Sequence, residues 1–377
     1  MSNTQTKSIL VDDMFLITDV STTAGSKMLE GYQGLVDAEA ITKAIAAGYT
    51  LTMKAPVGEF AIDLLGETTS SGAWIQDGTL KNLITEMFWS GDVMGAICFD
   101  VNGYPRRIAA QSGLVCLKPT YGRISRKGVI SVAASGETVD VLARNTEDCR
   151  DLFDAIAEQK SEEESNPITR VAVFSSLDTD MNGEIKKKVN TAISNLEKSR
   201  ISTTYIENDV ISASKAAWNI LLCAEICKNT ARYDGVRYGH RAEHFASLDE
   251  LYINSRTEGF GDLVKASILY GSEVLSPENY QTVYDKALRV RRVIAEEFAR
   301  LFQNFDAVLL PACSQLFYTQ EQVSADKHLA FEENRYTALA TLTGLPAVVA
   351  GGVQLLGKAN AEHALLNIAK ILAGEGD

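Results

Sequence analysis

Val171-Ala172-Val173-Phe174 is a short apolar run suited to a buried strand, and Glu184 to Lys198 follows it with helical periodicity. The pattern then repeats. Thr203-Thr204-Tyr205-Ile206 reads as a strand and Ile211 to Ala231 as a helix. Further on, Ala307-Val308-Leu309-Leu310-Pro311 and Ala347-Val348-Val349-Ala350 read as short buried strands, and Ala361 to Ala373 reads as a closing helix. Alternating strand and helix predicts an α/β fold whose central mixed β-sheet is covered by helices on both faces. One stretch, residues 158–167, has almost nothing to bury and carries Glu158, Glu162, Glu163 and Glu164, which repel one another. It reads as an acidic linker between an N-terminal part and a central and C-terminal part.

Composition narrows the function classes. The 377 residues are 46% hydrophobic and 23% charged, which is ordinary globular composition. No run of about 18 apolar residues suggests a membrane span. The polar start, Met1 to Lys7, lacks the apolar core of a signal peptide. Six cysteines without disulfide or zinc spacing suit a reducing cytosol, so the expected location is cytoplasmic. Cys223 and Cys227 lie one helical turn apart, but with no second pair they read as buried thiols, and neither metal nor cofactor is expected. The net charge of −13 opposes direct binding of nucleic acid. Arg289, Arg291 and Arg292 form a local basic patch, expected to pair with Glu296 and Glu297 along one helix.

Two further stretches carry a resemblance. Residues 100–106 read Asp100-Val101-Asn102-Gly103-Tyr104-Pro105-Arg106, and residues 117–123 read Leu117-Lys118-Pro119-Thr120-Tyr121-Gly122-Arg123. Together they resemble the amidase signature family, whose loop runs D-x-G-G-S-I-R-x-P-A ahead of L-K-P-T-Y-G-R. Thr22 to Tyr32, Lys118 to Gly128, Ala231 to Gly239 and Ser255 to Gly261 are similar to the branch of that family containing the A subunits of aspartyl/glutamyl-tRNA amidotransferases. The resemblance implies one amidase-signature-like domain over 1–377. It also implies a fold built to release ammonia from glutamine for a partner subunit, through a lysine, a relay serine and a nucleophilic serine within hydrogen-bond reach.

Position by position, that chemistry is expected to be absent. Tyr104 falls on the nucleophile and Val11 on the lysine, while Leu80 and Lys81 cover the relay loop G-G-S-S-G-G-S. Lys7 is the only nearby substitute base, expected as a disordered, solvated terminal residue. Asn102 replaces a glycine, and Pro105 removes an N–H from the oxyanion loop. Asp100, Gly103, Arg106, His240, Arg291 and Asn334 stand as remnants of the substrate pocket, with Asn334 on the family's ammonium-binding aspartate. Asp100 and Arg106 also read as a buried pair that holds a loop without chemistry.

The resemblance further implies a helical segment ahead of the first strand that finds no counterpart here. Its absence predicts an apolar patch covered by a partner chain, by a second copy or by a rearranged terminus. The reading is a pseudoenzyme: a non-catalytic subunit, scaffold or regulator in a protein complex. Two alternatives stand beside it. One is a glutamine amidotransferase-like enzyme with a rebuilt Lys81–Tyr104 site that supplies ammonia to a partner, and the other is a small-ligand binding module.

Overall fold

The computed structural model describes residues 7–66, 73–76, 79–158, 166–175, 181–326 and 328–374. Most of the acidic stretch 158–167 lies outside them, as do the side chains of Leu80 and Lys81. Twelve strands are described: β1 Ser8–Asp12, β2 Thr50–Ala55, β3 Ala73–Gln76, β4 Thr79–Asn82, β5 Gly95–Asp100, β6 Val115–Lys118, β7 Thr138–Ala143, β8 Arg170–Phe174, β9 Ser202–Ile206, β10 Ala307–Pro311, β11 Ala347–Ala350 and β12 Val353–Gly357. Ten of them form one sheet in the order β2-β1-β5-β7-β6-β11-β12-β10-β8-β9, and β3 pairs with β4 separately.

The sheet is mixed. Pairing is parallel at both ends, β2-β1-β5 and β10-β8-β9, and antiparallel through the middle. Its middle is built from both sides of the acidic stretch, because β11 hydrogen-bonds to β6. These inner strands are buried at every position, which is why they read as continuous apolar runs. Alternate residues feed two cores. Ile97 and Phe99 of β5 join the larger one, and Ala96 and Cys98 join the smaller one with Leu10, Phe88, Tyr104 and Ile108. The outer strands β2 and β9 are half exposed and rich in threonine.

The predicted elements appear close to their expected places. The strand at Val171 begins one residue early at Arg170, and the helices run Gly183–Lys198, Val210–Thr230 and Glu362–Ala373. Asn182 caps the first of these by accepting the Ile185 N–H at 2.9 Å. All six cysteines are free, and among the described residues no helix is long and apolar enough to cross a membrane.

Lys7 is solvent-exposed as expected, but it is not disordered. It leads into β1, where its carbonyl accepts the Thr50 N–H at 2.9 Å and its ammonium sits 5.0 Å from the Tyr49 ring centroid. The β1–β2 ladder orders this end of the chain, so a free terminal lysine is not what the strand pairing leaves. The basic patch is also only partly as expected. Arg292 pairs with Glu296 at 2.8 Å, but Arg289 reaches back to Asp285 and Arg291 turns inward.

Candidate active site

The centre of the site is the turn between β5 and the helix Tyr104–Ser112. Asp100 ends β5, and Gly103 then takes φ +105°, a left-handed conformation that suits glycine. A side chain there would also meet Thr337, whose Cβ lies 2.4 Å from an added Cβ. Asp100 Oδ1 accepts the Gly103 N–H at 2.6 Å, and Oδ2 accepts Arg106 Nε at 2.7 Å. Arg106 is fully buried. Its other nitrogens donate to Thr337 O at 2.9 Å, Gln354 Oε1 at 2.9 Å and Thr341 Oγ1 at 3.1 Å.

The charges around this clamp are matched across the sheet. Burial pushes the Asp100 carboxyl up, but the Arg106 charge and its hydrogen bond outweigh burial and hold Asp100 below its ordinary value. On the neighbouring strand, burial and then the Asp100 charge push Asp140 well above its ordinary value. Thr138 Oγ1 donates to Asp140 Oδ1 at 2.8 Å. Burial lowers the Lys118 ammonium to about 8, against the nearby Asp140. Lys118 sits in the Leu117–Arg123 peptide, and its Nζ donates to Leu345 O at 3.2 Å.

Asn102 fills the space beside the turn. Its Oδ1 accepts from Trp218 Nε1 at 3.1 Å and Asn334 Nδ2 at 2.9 Å, and its Nδ2 donates to Ile62 O at 3.2 Å. Asn334 Nδ2 also reaches Asn219 Oδ1 at 2.7 Å. Trp218 is fully buried, and an added Cβ at Gly136 would lie 2.3 Å from its ring. On the other side of the helix, Arg107 pairs with Glu333 and donates to Leu316 O at 3.1 Å. Glu333 also takes the Tyr318 hydroxyl at 2.6 Å. Tyr104, the first residue of the helix, is buried in the smaller core.

The structure thus brings Asp100, Gly103, Arg106 and Asn334 together around Asn102. His240 and Arg291 share no hydrogen bond with that group. His240 Nε2 meets Glu258 at 2.8 Å, and its backbone N–H donates to Met28 O at 3.2 Å. Arg291 binds Ser135 O at 2.7 Å and Leu342 O at 2.8 Å, tying one loop to the end of the helix Ala338–Thr343. Val11 is a core residue of β1, in register with Lys54 and Ile97. Lys54 lies one strand away and is spent on Asp13 at 2.6 Å and Thr22 Oγ1 at 2.6 Å. Lys81 pairs in register with Trp74 in the separate β3–β4 ladder.

Sequence reasoning missed Trp218, Asn219 and Asp12. The one signal for Asp12 was an acid placed directly after the apolar run Ile9-Leu10-Val11. It is buried: Oδ2 accepts the Phe99 N–H at 2.8 Å, and Oδ1 has no hydrogen-bond partner among the described residues. Burial raises its carboxyl to about 7, helped by the Asp13 charge.

Comparison with known proteins agrees with this frame. The amidase family profile matches residues 90–366, a span covering the Asp100–Arg106 turn, the signature peptide and Asn334. The chain belongs to the amidase family. Among amidases, the A subunit of glutamyl-tRNA(Gln) amidotransferase from Coxiella burnetii is 33% identical over 94% of this chain and 80% of its own length. Its counterpart from Streptococcus pneumoniae is 30% identical over 96% of this chain and 81% of its own. The fold is the amidase fold. The crystal structure of the Thermotoga maritima counterpart superposes with a TM-score of 0.78 at 23% identity, covering 97% of this chain and 82% of that one.

Asp12 generates a testable stability effect. Unfolded, it ionises near 3.8, and folded, near 7. Between these values the native state keeps a proton that the unfolded state has lost, so stability falls as pH rises through this window. The penalty is complete above 7, at about 4 kcal/mol. Asp12→Asn keeps an acceptor for the Phe99 N–H and removes the charge. Urea denaturation should show the variant stabilised at pH 8 and little changed at pH 4.

Proposed function

We propose that this chain is a non-catalytic amidase-fold protein that serves as a subunit, scaffold or regulator in a complex. The observation that carries the reading is the Asn102–Trp218–Asn334–Asn219 network. By resemblance, Asn102 stands on an oxyanion-loop glycine and Asn334 on the aspartate that meets the substrate ammonium. Here their side chains are hydrogen-bonded to each other at 2.9 Å, which engages the Asn102 amide oxygen and the Asn334 amide nitrogen internally, while Asn334 Oδ1 has no hydrogen-bond partner among the described residues. Tyr104, on the nucleophile position, packs into an apolar cluster with Leu10, Phe88 and Ile108. The family's chemistry needs an activated hydroxyl, a base and open backbone donors acting as a unit.

The matched relatives are named as subunits, and we extend that property to this chain. Leu248, Ile253, Leu269, Tyr270, Leu288 and Val293 are large apolar residues exposed on the helices between residues 248 and 304, a composition that suits an interface.

The decisive assay is ammonia release. The purified chain should show none above background from glutamine or asparagine. Turnover abolished by Tyr104→Phe or Lys81→Ala would instead support a rebuilt site. For assembly, sedimentation should show a homodimer, or a heteromer with an amidotransferase-like partner. A monodisperse monomer under both conditions, with no shift in Tm on mixing, would contradict it.

A further inference from the structure

The ten-stranded sheet ends on β2 at one side and on β9 at the other. An edge strand presents backbone N–H and C=O groups to any strand that can reach them. β2 is blunted in two ways. Its register with β1 shifts between Ile9 and Leu10, and its Lys54 turns inward to Asp13 at 2.6 Å. β9 has neither device. Ser202-Thr203-Thr204-Tyr205-Ile206 pairs residue for residue with β8 and contains no proline, glycine or charged residue. The Ser202 N–H donates to Thr169 O at 2.8 Å, so Ser202, Thr204 and Ile206 turn their backbone groups toward β8. Thr203 and Tyr205 turn theirs outward, and among the described residues nothing hydrogen-bonds to those backbone groups. The Tyr205 side chain is 59% exposed.

We propose that β9 pairs with β9 of a second copy, antiparallel across a two-fold axis through Thr204, so that two sheets join edge to edge. The inference deepens the assembly reading above by naming the partner and the edge it uses. In this register Thr203 stands opposite Tyr205 of the second copy, and both present outward N–H and C=O groups. Such a pair exchanges both of its N–H···O bonds, and the axis repeats the exchange. The same pair sets an aromatic ring against a β-branched side chain, which adds contact across the joint. The charges select the direction. Lys198 and Arg200 precede the strand, Glu207 and Asp209 follow it, and all are exposed. Antiparallel pairing sets Arg200 opposite Asn208 of the second copy, between Glu207 and Asp209, whereas parallel pairing would bring like charges together. A strand of 5 residues is a small contact, so dimerisation is reversible and depends on concentration.

The test is sedimentation velocity over a concentration series at about 150 mM salt, where repulsion between two chains of net charge −13 is screened beyond about 8 Å. The native chain should pass from monomer to dimer as concentration rises. Thr204 is exposed, and it meets its own copy in a non-hydrogen-bonded pair, where side chains approach closest. Thr204→Lys and Thr204→Glu therefore each set like charges opposite one another on the axis. Each alone should weaken dimerisation about fivefold or more, with an unchanged melting curve. An equimolar mixture of the two should restore the dimer, because opposite charges then meet at that position. A dimer that persists unchanged in both single variants would overturn this edge and leave assembly through another surface standing. Two weakened variants that stay monomeric when mixed would overturn the pairing through Thr204. A native monomer at every concentration would overturn the inference, and the assembly reading would then rest on the heteromer alone.

Discussion

The Asp100–Arg106 pair is the constraint on which the rest of the structure depends. Arg106 is fully buried and joins the end of β5 to Thr337, Thr341 and Gln354, more than 200 residues further along the chain. A buried guanidinium is tolerable only when its donors are satisfied, and here carbonyl, amide, hydroxyl and carboxylate oxygens all accept from it. Burial and the Asp100 charge push the neighbouring acid, Asp140, well above its ordinary value, and Lys118 stands close to it. The clamp therefore sets the register between the N-terminal signature part and the C-terminal helix and hairpin. It also fixes the turn at Gly103, which has no room for a side chain against Thr337.

With that turn fixed, what the site can do depends on what fills the space beside it. Asn102 projects an amide toward Trp218 and Asn334, and Arg107 with Glu333 and Tyr318 closes the opposite side. Most polar groups here hydrogen-bond within the chain, and the exceptions are Asn334 Oδ1 and Arg107 Nε, which have no partner among the described residues. Asp100, Gly103 and Arg106 hold the scaffold at this turn, and Asn102, Tyr104 and Asn334 are packed inside it.

Much of the fold was legible because burial on both faces writes itself as unbroken apolar runs, as in β10 and β11, and because Glu184 to Lys198 has a clean helical period. The Asp100–Arg106 pair was legible too, from two charged residues kept within a short matched loop. What escaped was long-range. Nothing local marks Trp218 and Asn219 within a mostly apolar helix as partners of Asn102 and Asn334. Arg291 stands in the sequence both in a basic patch with Arg289 and Arg292 and among the expected pocket remnants, and helical phase turns it inward to Ser135 and Leu342. His240 was read as a pocket remnant, but its loop is anchored on Met28, where Gly239 passes too close for any side chain. Asp12 was hidden by its neighbour, because two successive acids read as a strand end rather than as one buried and one paired residue.

The central claim is that Arg106 is kept as a structural joint. The most direct measurement is urea denaturation of Arg106→Lys. Lysine keeps the charge, but it is a point donor that cannot satisfy Asp100, Thr337, Gln354 and Thr341 together. The account predicts a loss of about 3–5 kcal/mol, the range for breaking a buried, hydrogen-bonded pair. A change within about 0.5 kcal/mol, the range of an ordinary surface substitution, would contradict it.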